Sequence, residues 1–304
     1  MKKKRKVLIK NPQLCLMCLP AVLLVFVLNY LPMGGIVLAF KKYRYDLGIF
    51  KSPWNGLNNF KYFFTSQDAW MILRNTIGIN LVSIFLGLIV ALSIALMMNE
   101  LRKKIAIKTY QTLLFFPYFL SWIIVSYMLY SFLSTQYGMV NQLLEATGHA
   151  AVQWYMKAEY WPVILILAGI WKGMGYGAVI YYAGLMGIDS SYYEAALIDG
   201  ASRMQLITKI SIPLLKPVIV VNMLLQVGRI MYADFGLFYF LPRQSPLLYP
   251  TTTVIDTYVY NALISTGDIG IGAATGLFQS VVGLVLILLA NYAARKVNRE
   301  SALF

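Results

Sequence analysis

Apolar residues run in six blocks, near 14–40, 76–98, 112–134, 162–186, 213–235 and 272–294, separated by stretches that carry charges, prolines and turn formers. Each block supplies the roughly 20 mainly apolar residues that a helix needs to cross a hydrocarbon core. The pattern therefore predicts an all-α integral membrane protein of about six transmembrane helices. Pro20, Pro32, Pro117, Gly173 and Gly175 interrupt the blocks. They predict kinks rather than strands, because neighbouring helices satisfy or pack against the locally freed backbone.

Charge gives the blocks a direction. The chain has 26 Lys and Arg against 12 Asp and Glu. With both termini cytoplasmic, sixteen of these bases fall on the inner side, among them Lys2 to Lys6, Lys10, Arg102, Lys103, Lys104, Lys108, Arg203, Lys209, Lys216, Arg295, Lys296 and Arg299. Eight fall outside, and Lys172 and Arg229 remain within the apolar blocks. That bias follows the rule that basic segments stay on the cytoplasmic side. Residues 1–13 accordingly form a basic cytoplasmic N-terminus, 14–294 one transmembrane domain and 295–304 a cytoplasmic tail. The basic start is read as a flank of the first span rather than a nucleic-acid patch, and the apolar stretch that runs on to Phe40 is too long for a cleaved signal peptide. The outer connections near 41–75, 135–161 and 236–271 are long and rich in Tyr, Trp, Asn and Pro, which makes that face suitable for a docking partner.

Composition removes several chemistries. With one histidine, His149, and two cysteines, Cys15 and Cys18, at the start of an apolar helix, no zinc or iron–sulfur ligand set is expected. No GxxxxGK[ST] string occurs, so any ATP is hydrolysed in trans. Gly173-Met-Gly-Tyr-Gly177 lies in an apolar span without the lysine and hydroxyl of a phosphate loop and is expected to pack helices closely, as are Gly272 and Gly276. No cluster of His, Asp, Glu or Ser points to a membrane-embedded enzyme.

The most informative stretch lies between the fourth and fifth blocks, in a loop spanning 187–212. It reads Asp189-Ser-Ser-Tyr-Tyr-Glu-Ala-Ala-Leu-Ile-Asp-Gly-Ala-Ser-Arg203 and continues to Ile210-Ser-Ile-Pro213. Ser191 and Glu194 have the spacing of a capping box. Glu194 to Ile198 favour helix, and Gly200 suits the left-handed residue that ends one. Two helical turns followed by a bend are predicted. Ala195 and Ala196 permit close approach, and Leu197 and Ile198 add apolar area, which together describe a docking peg.

This stretch resembles the cytoplasmic loop of the membrane subunits of binding-protein-dependent ABC importers. The family pattern is EAA, three residues, Gly, nine residues, Ile-x-Leu-Pro. Here it is met by Glu194, Ala195, Ala196, Gly200, Ile210 and Pro213, with Ile212 in place of Leu, a volume-conserving exchange. The resemblance implies a type I ABC importer fold in the cell membrane. It also implies that residues 192–202 form a coupling helix seated in a cleft of an ATPase, with Asp199 and Arg203 grouped among the coupling residues. It further implies two ABC ATPase subunits that carry the ATP and Mg, a second permease subunit, an extracytoplasmic solute-binding protein, and no cofactor on this chain. Pro20, Tyr30-Leu-Pro-Met-Gly34, Ala39-Phe40 and Gly56-Leu-Asn-Asn-Phe60 resemble carbohydrate-uptake permeases. The stretch Leu248 to Tyr260 and the ending Glu300-Ser-Ala-Leu-Phe304 resemble the subgroup associated with oligosaccharides or polysaccharide fragments.

A substrate path is expected around Lys172, because a lysine at mid-membrane costs roughly 2.5–3.5 kcal/mol and should face a cavity or partner. Arg229 and Asp234 sit about 140° apart on a regular helix, which favours contacts between spans over a pair. Trp171, Tyr176, Tyr232 and Tyr239 complete the candidate path, since aromatic faces suit the C–H faces of sugars. Interfacial anchoring or helix packing is the competing reading for these aromatics. A secondary transporter or channel for a small polar solute is the alternative function, and an ABC permease for a non-sugar substrate is another.

Overall fold

The computed structural model describes residues 12–101 and 103–297. The basic run Lys2 to Lys6, Lys10, Arg102, Arg299 and the ending Glu300 to Phe304 lie outside the described residues. Helices dominate, and the single bridge between Lys41 and Trp54 is the β-type pairing found among the described residues.

The first rod, α1 (Cys15–Phe40), changes character along its length. It is α-helical to Val25, widens to a π turn over Phe26–Tyr30 and tightens to 3-10 geometry over Leu31–Phe40. Pro32 explains the change: it has no N–H for the preceding turn, and its ring crowds the carbonyl four residues back, so the helix widens just before it. After the short α2 (Asn58–Thr65), the long α3 (Asp68–Asn99) crosses the bundle.

The third apolar block departs from the expectation of one span. It forms α4 (Lys104–Phe119) and α5 (Trp122–Leu133), bent by 96° at the intervening residues. Pro117 lies in the last turn of α4, Leu120 and Ser121 are extended, and the Ser121 hydroxyl accepts the Ile124 amide at 3.3 Å to restart the helix. The fourth block is α6 (Trp161–Met186), which packs along α3 and α4 and forms the centre of the bundle.

The short α7 (Ser190–Ile198) precedes α8 (Arg203–Gly228), whose second turn is again widened, over Ile207–Ser211, just ahead of Pro213. The fifth span was expected to run over 213–235, but it unwinds after Gly228. Its freed carbonyls are taken up by side chains of other helices. Asn80 Nδ2 donates to Ile230 O at 2.8 Å and to Tyr232 O at 3.0 Å, and Gln279 Nε2 donates to Met231 O at 2.7 Å. The Ala233 amide donates to Asp256 Oδ2 at 2.8 Å. Irregular backbone inside an apolar bundle is tolerable only with such partners. The chain then forms α9 (Phe235–Phe240), α10 (Ile255–Ile264) and the last long helix, α11 (Ile269–Val297).

Among the described residues five helices are long and apolar enough to cross a membrane, and the bent α4–α5 pair, taken as one span, brings the number to six. Their outward faces are apolar and exposed, with Leu16, Val22, Phe85, Leu113, Leu167 and Leu288 all turned out. A lipid-facing bundle has this inverted surface, because its solvent is hydrocarbon. Close approach inside the bundle relies on glycine at two neighbouring positions of α6. A methyl group on Gly175 would collide with the Leu114 backbone, and one on Gly177 would lie 2.9 Å from the Ala91 Cβ. Gly173 and Gly276 have open space instead, so the packing role expected of them falls to Gly175, Gly177 and Gly272.

Candidate functional site

At the end of the bundle where α6 leads into α8, α7 projects as a separate two-turn helix. Asp189 caps it: the carboxylate accepts the Ser191 amide at 2.9 Å, and this bond holds the Asp189 carboxyl below its ordinary pKa. The expected Ser191–Glu194 capping box is therefore corrected, since Ser191 donates its amide instead of acting as the cap. A capping box does form one step later, where Ser202 and Gln205 bond reciprocally ahead of Arg203. Gly200 takes φ +77°, the left-handed bend expected of it.

Glu194, Ala195, Asp199 and Gly200 are exposed and Ala196 is half-buried. Ile198 is 86% exposed and Leu197 57%, so α7 carries an apolar tip into solvent. One bond fixes it to the bundle, and a second holds the start of α8 to the end of α3. Tyr193 Oη lies 3.0 Å from the Oγ of buried Ser211, in the widened turn of α8 that ends ahead of Pro213. Arg203 Nη1 meets Glu100 Oε2 at 3.2 Å, at the end of α3. Ile210 is half-buried beside Ser211 and Pro213 is exposed.

The second feature is an open cavity of about 510 Å³ enclosed by α3, α6, α8, the α4–α5 break and the unwound segment. It brings together five of the residues expected on a substrate path: Lys172, Tyr176, Arg229, Tyr232 and Asp234. Trp171 packs instead on the core cluster around Trp161 and Leu165, and Tyr239 stacks on Phe235 beside a separate small pocket.

Lys172 Nζ donates to Tyr118 O at 2.7 Å and stands over the rings of Tyr118 and Trp122, 5.3 and 5.2 Å from their centres. Tyr118 stacks on Tyr176 with centroids 5.2 Å apart. Asp234 caps α9, accepting the Gly236 and Leu237 amides at 3.0 and 3.3 Å, and it accepts the Trp122 indole N–H at 2.8 Å. Arg229 and Asp234 do not pair; Asp234 reaches across to another helix.

Asn222 and Gln226 also line the cavity and were not singled out from the sequence. With Arg229 they form a polar stripe at intervals of four and three residues on an otherwise apolar helix, which is a readable signal of one face. Asn80 and Ser83 supply polar groups from α3.

The profile of the family described as the inner membrane component of binding-protein-dependent transport systems matches residues 83–299. The chain belongs to that family. This permease is 33% identical to protein LplB of Bacillus subtilis over 291 residues, covering 96% of the chain and 91% of LplB. It is 34% identical to the polygalacturonan/rhamnogalacturonan transport system permease protein YteP of the same organism, covering 98% and 93%. In three dimensions it is similar to a chain of a bacterial ABC transporter involved in the import of the acidic polysaccharide alginate, with a TM-score of 0.86, 33% identity and coverage of 94% and 96%. The same transporter type, in complex with an alginate pentasaccharide-bound periplasmic protein, matches with a TM-score of 0.85. The permease is thus a multi-pass component of the inner membrane and a transporter subunit.

Proposed function

We propose that this permease forms half of the membrane core of an ATP-driven importer and lines the passage of an oligosaccharide. Both termini face the cytoplasm, α7 is the coupling helix, and Glu194, Ala195, Ala196, Asp199, Gly200, Arg203, Ile210 and Pro213 form the surface that engages an ATPase. The carrying observation is that α7 stands clear of the bundle with an apolar tip while Tyr193 ties it to α8 and Arg203, at the start of α8, ties that helix to α3, two of the helices that enclose the cavity. A push on α7 is therefore delivered to the cavity wall.

In this reading ATP and Mg reside in two partner ATPases, a second permease subunit completes the passage, and an extracytoplasmic binding protein delivers the substrate to the face formed by the long outer connections. The saccharide assignment is supported by the substrates named for the relatives. It is also supported by a cavity that offers aromatic faces at Tyr118, Tyr176 and Tyr232 beside polar Asn80, Asn222 and Gln226, a combination that matches the apolar faces and hydroxyl edges of sugar rings. A gradient-driven carrier is disfavoured because the cavity's carboxylate, Asp234, is engaged by three donors as a helix cap.

Co-purification of the solubilised permease with candidate ABC ATPases tests the coupling. Wild type captures an ATPase, and the Glu194→Arg, Gly200→Trp double variant loses it. Equal capture by both, or capture by neither, overturns this mechanism.

A further inference from the structure

The cavity holds two cations and one carboxylate, and their states differ. Asp234 is taken by two amides and an indole. Lys172 is taken by a carbonyl and two aromatic faces. Arg229 has an exposed side chain and, among the described residues, its guanidinium has no hydrogen-bond or ion-pair partner. A fork of five donors thus stands open in a membrane-embedded cavity that carries one positive charge in surplus. Gln226, one turn earlier on the same face, likewise has an unengaged side-chain amide.

The geometry points to Arg229 as an anion receptor, so that the cargo is an acidic oligosaccharide whose ring carboxylates are gripped in turn as it passes. This rests on the oligosaccharide reading and adds the charge. A planar guanidinium matches a carboxylate with two parallel hydrogen bonds, which an ammonium does not reproduce. One surplus positive charge is balanced by one uronate. Gln226 supplies a donor and an acceptor for a neighbouring hydroxyl, and Tyr232, exposed beside Arg229, supplies a ring face. Asp234, held by its cap, adds no competing cation site.

The test uses the assembled transporter, with ATPases and binding protein, in proteoliposomes. The probes are trigalacturonate, a mannuronate trimer, their methyl esters, a sulfated trisaccharide and neutral maltotriose. Wild type takes up at least one free acid in preference to its ester and to maltotriose. Arg229→Gln raises the KM for that acid by about tenfold or more, and Arg229→Lys recovers only part of the lost affinity. Because wild type and variant share one binding protein, the difference reports the cavity.

Equal uptake of acid and ester, preference for maltotriose, or an unchanged KM in Arg229→Gln overturns the anion receptor and leaves the oligosaccharide reading standing. Preference for the sulfated sugar overturns the carboxylate assignment. Uptake of no saccharide overturns both readings. If Arg229→Gln fails to assemble, binding of the acid and its ester to the wild-type permease–ATPase complex without the binding protein decides. Affinity for the acid falls between low and physiological ionic strength and affinity for the ester does not; equal slopes overturn the receptor.

Discussion

The phenol of Tyr193 and the hydroxyl of Ser211 lie 3.0 Å apart, joining the projecting α7 to the widened turn of α8. Ser211 is 2% exposed, so removing its partner leaves a buried hydroxyl unsatisfied at a cost of about 1–3 kcal/mol. Tyr193→Phe is expected to leave ATPase capture intact and to lower the amount of substrate moved per ATP hydrolysed severalfold. Parallel measurement of uptake and phosphate release checks this, and an unchanged ratio would show the bond to be local.

Gly175 and Gly173 make a matched pair two residues apart on α6. The Gly175→Ala methyl meets the Leu114 backbone, which cannot swing aside as a side chain does, whereas Gly173→Ala points into open space. The first is expected to cost about 1–3 kcal/mol through overpacking. The second is expected to be neutral or slightly stabilising, because alanine favours helix. Thermal melting in detergent followed by size exclusion separates the two.

Gly200 has room for a side chain, with nothing within 4 Å of an added Cβ, but its φ of +77° penalises one. Gly200→Ala is expected to destabilise the end of α7 by about 1–2 kcal/mol. Gly200→Asn is expected to cost less, since asparagine tolerates this region better. Hydrogen exchange over residues 195–203 provides the readout.

Asp256 holds the unwound segment by accepting the Ala233 amide and, through both oxygens, the Gln279 amide at 3.2–3.3 Å. Burial pushes its carboxyl above the ordinary value. A raised native pKa means that the folded chain binds the proton more readily than the unfolded one, so this group's contribution to stability falls as pH rises from its unfolded pKa through the raised one. Asp256→Ala removes that dependence but strands the Ala233 amide, for a net loss of about 1–3 kcal/mol at neutral pH. Melting curves of both proteins across the acidic range give the two effects separately.

The apolar blocks, the projecting loop and the intramembrane lysine were legible because each leaves a local mark: a long apolar run, a spaced motif, a charge where none is cheap. The break in the third block left only Pro117, which predicts a kink but not a bend of 96°. Residues 119–122 are Phe, Leu, Ser and Trp, and a hydropathy window registers their composition without the direction of the backbone. The unwinding after Gly228 was hidden for a related reason, since the groups that permit it, Asn80, Asp256 and Gln279, lie far away in sequence. Asn222 and Gln226 were readable from their helical spacing with Arg229. Trp171 and Tyr239 were grouped with the cavity by proximity in sequence, but helix rotation and the turn into α9 carry them elsewhere.

Lys172 and the bend at Tyr118 are each an expense when considered alone. A sharp break within an apolar block frees carbonyls that hydrocarbon cannot solvate, and a lysine at that depth lacks water. Here the ammonium of one takes the free carbonyl of the other at 2.7 Å. Substituting the lysine and straightening the break should therefore be non-additive, with the second change partly relieving the first. Either change alone strands the other group, which makes this corner of the wall a joint that holds only while both halves are kept.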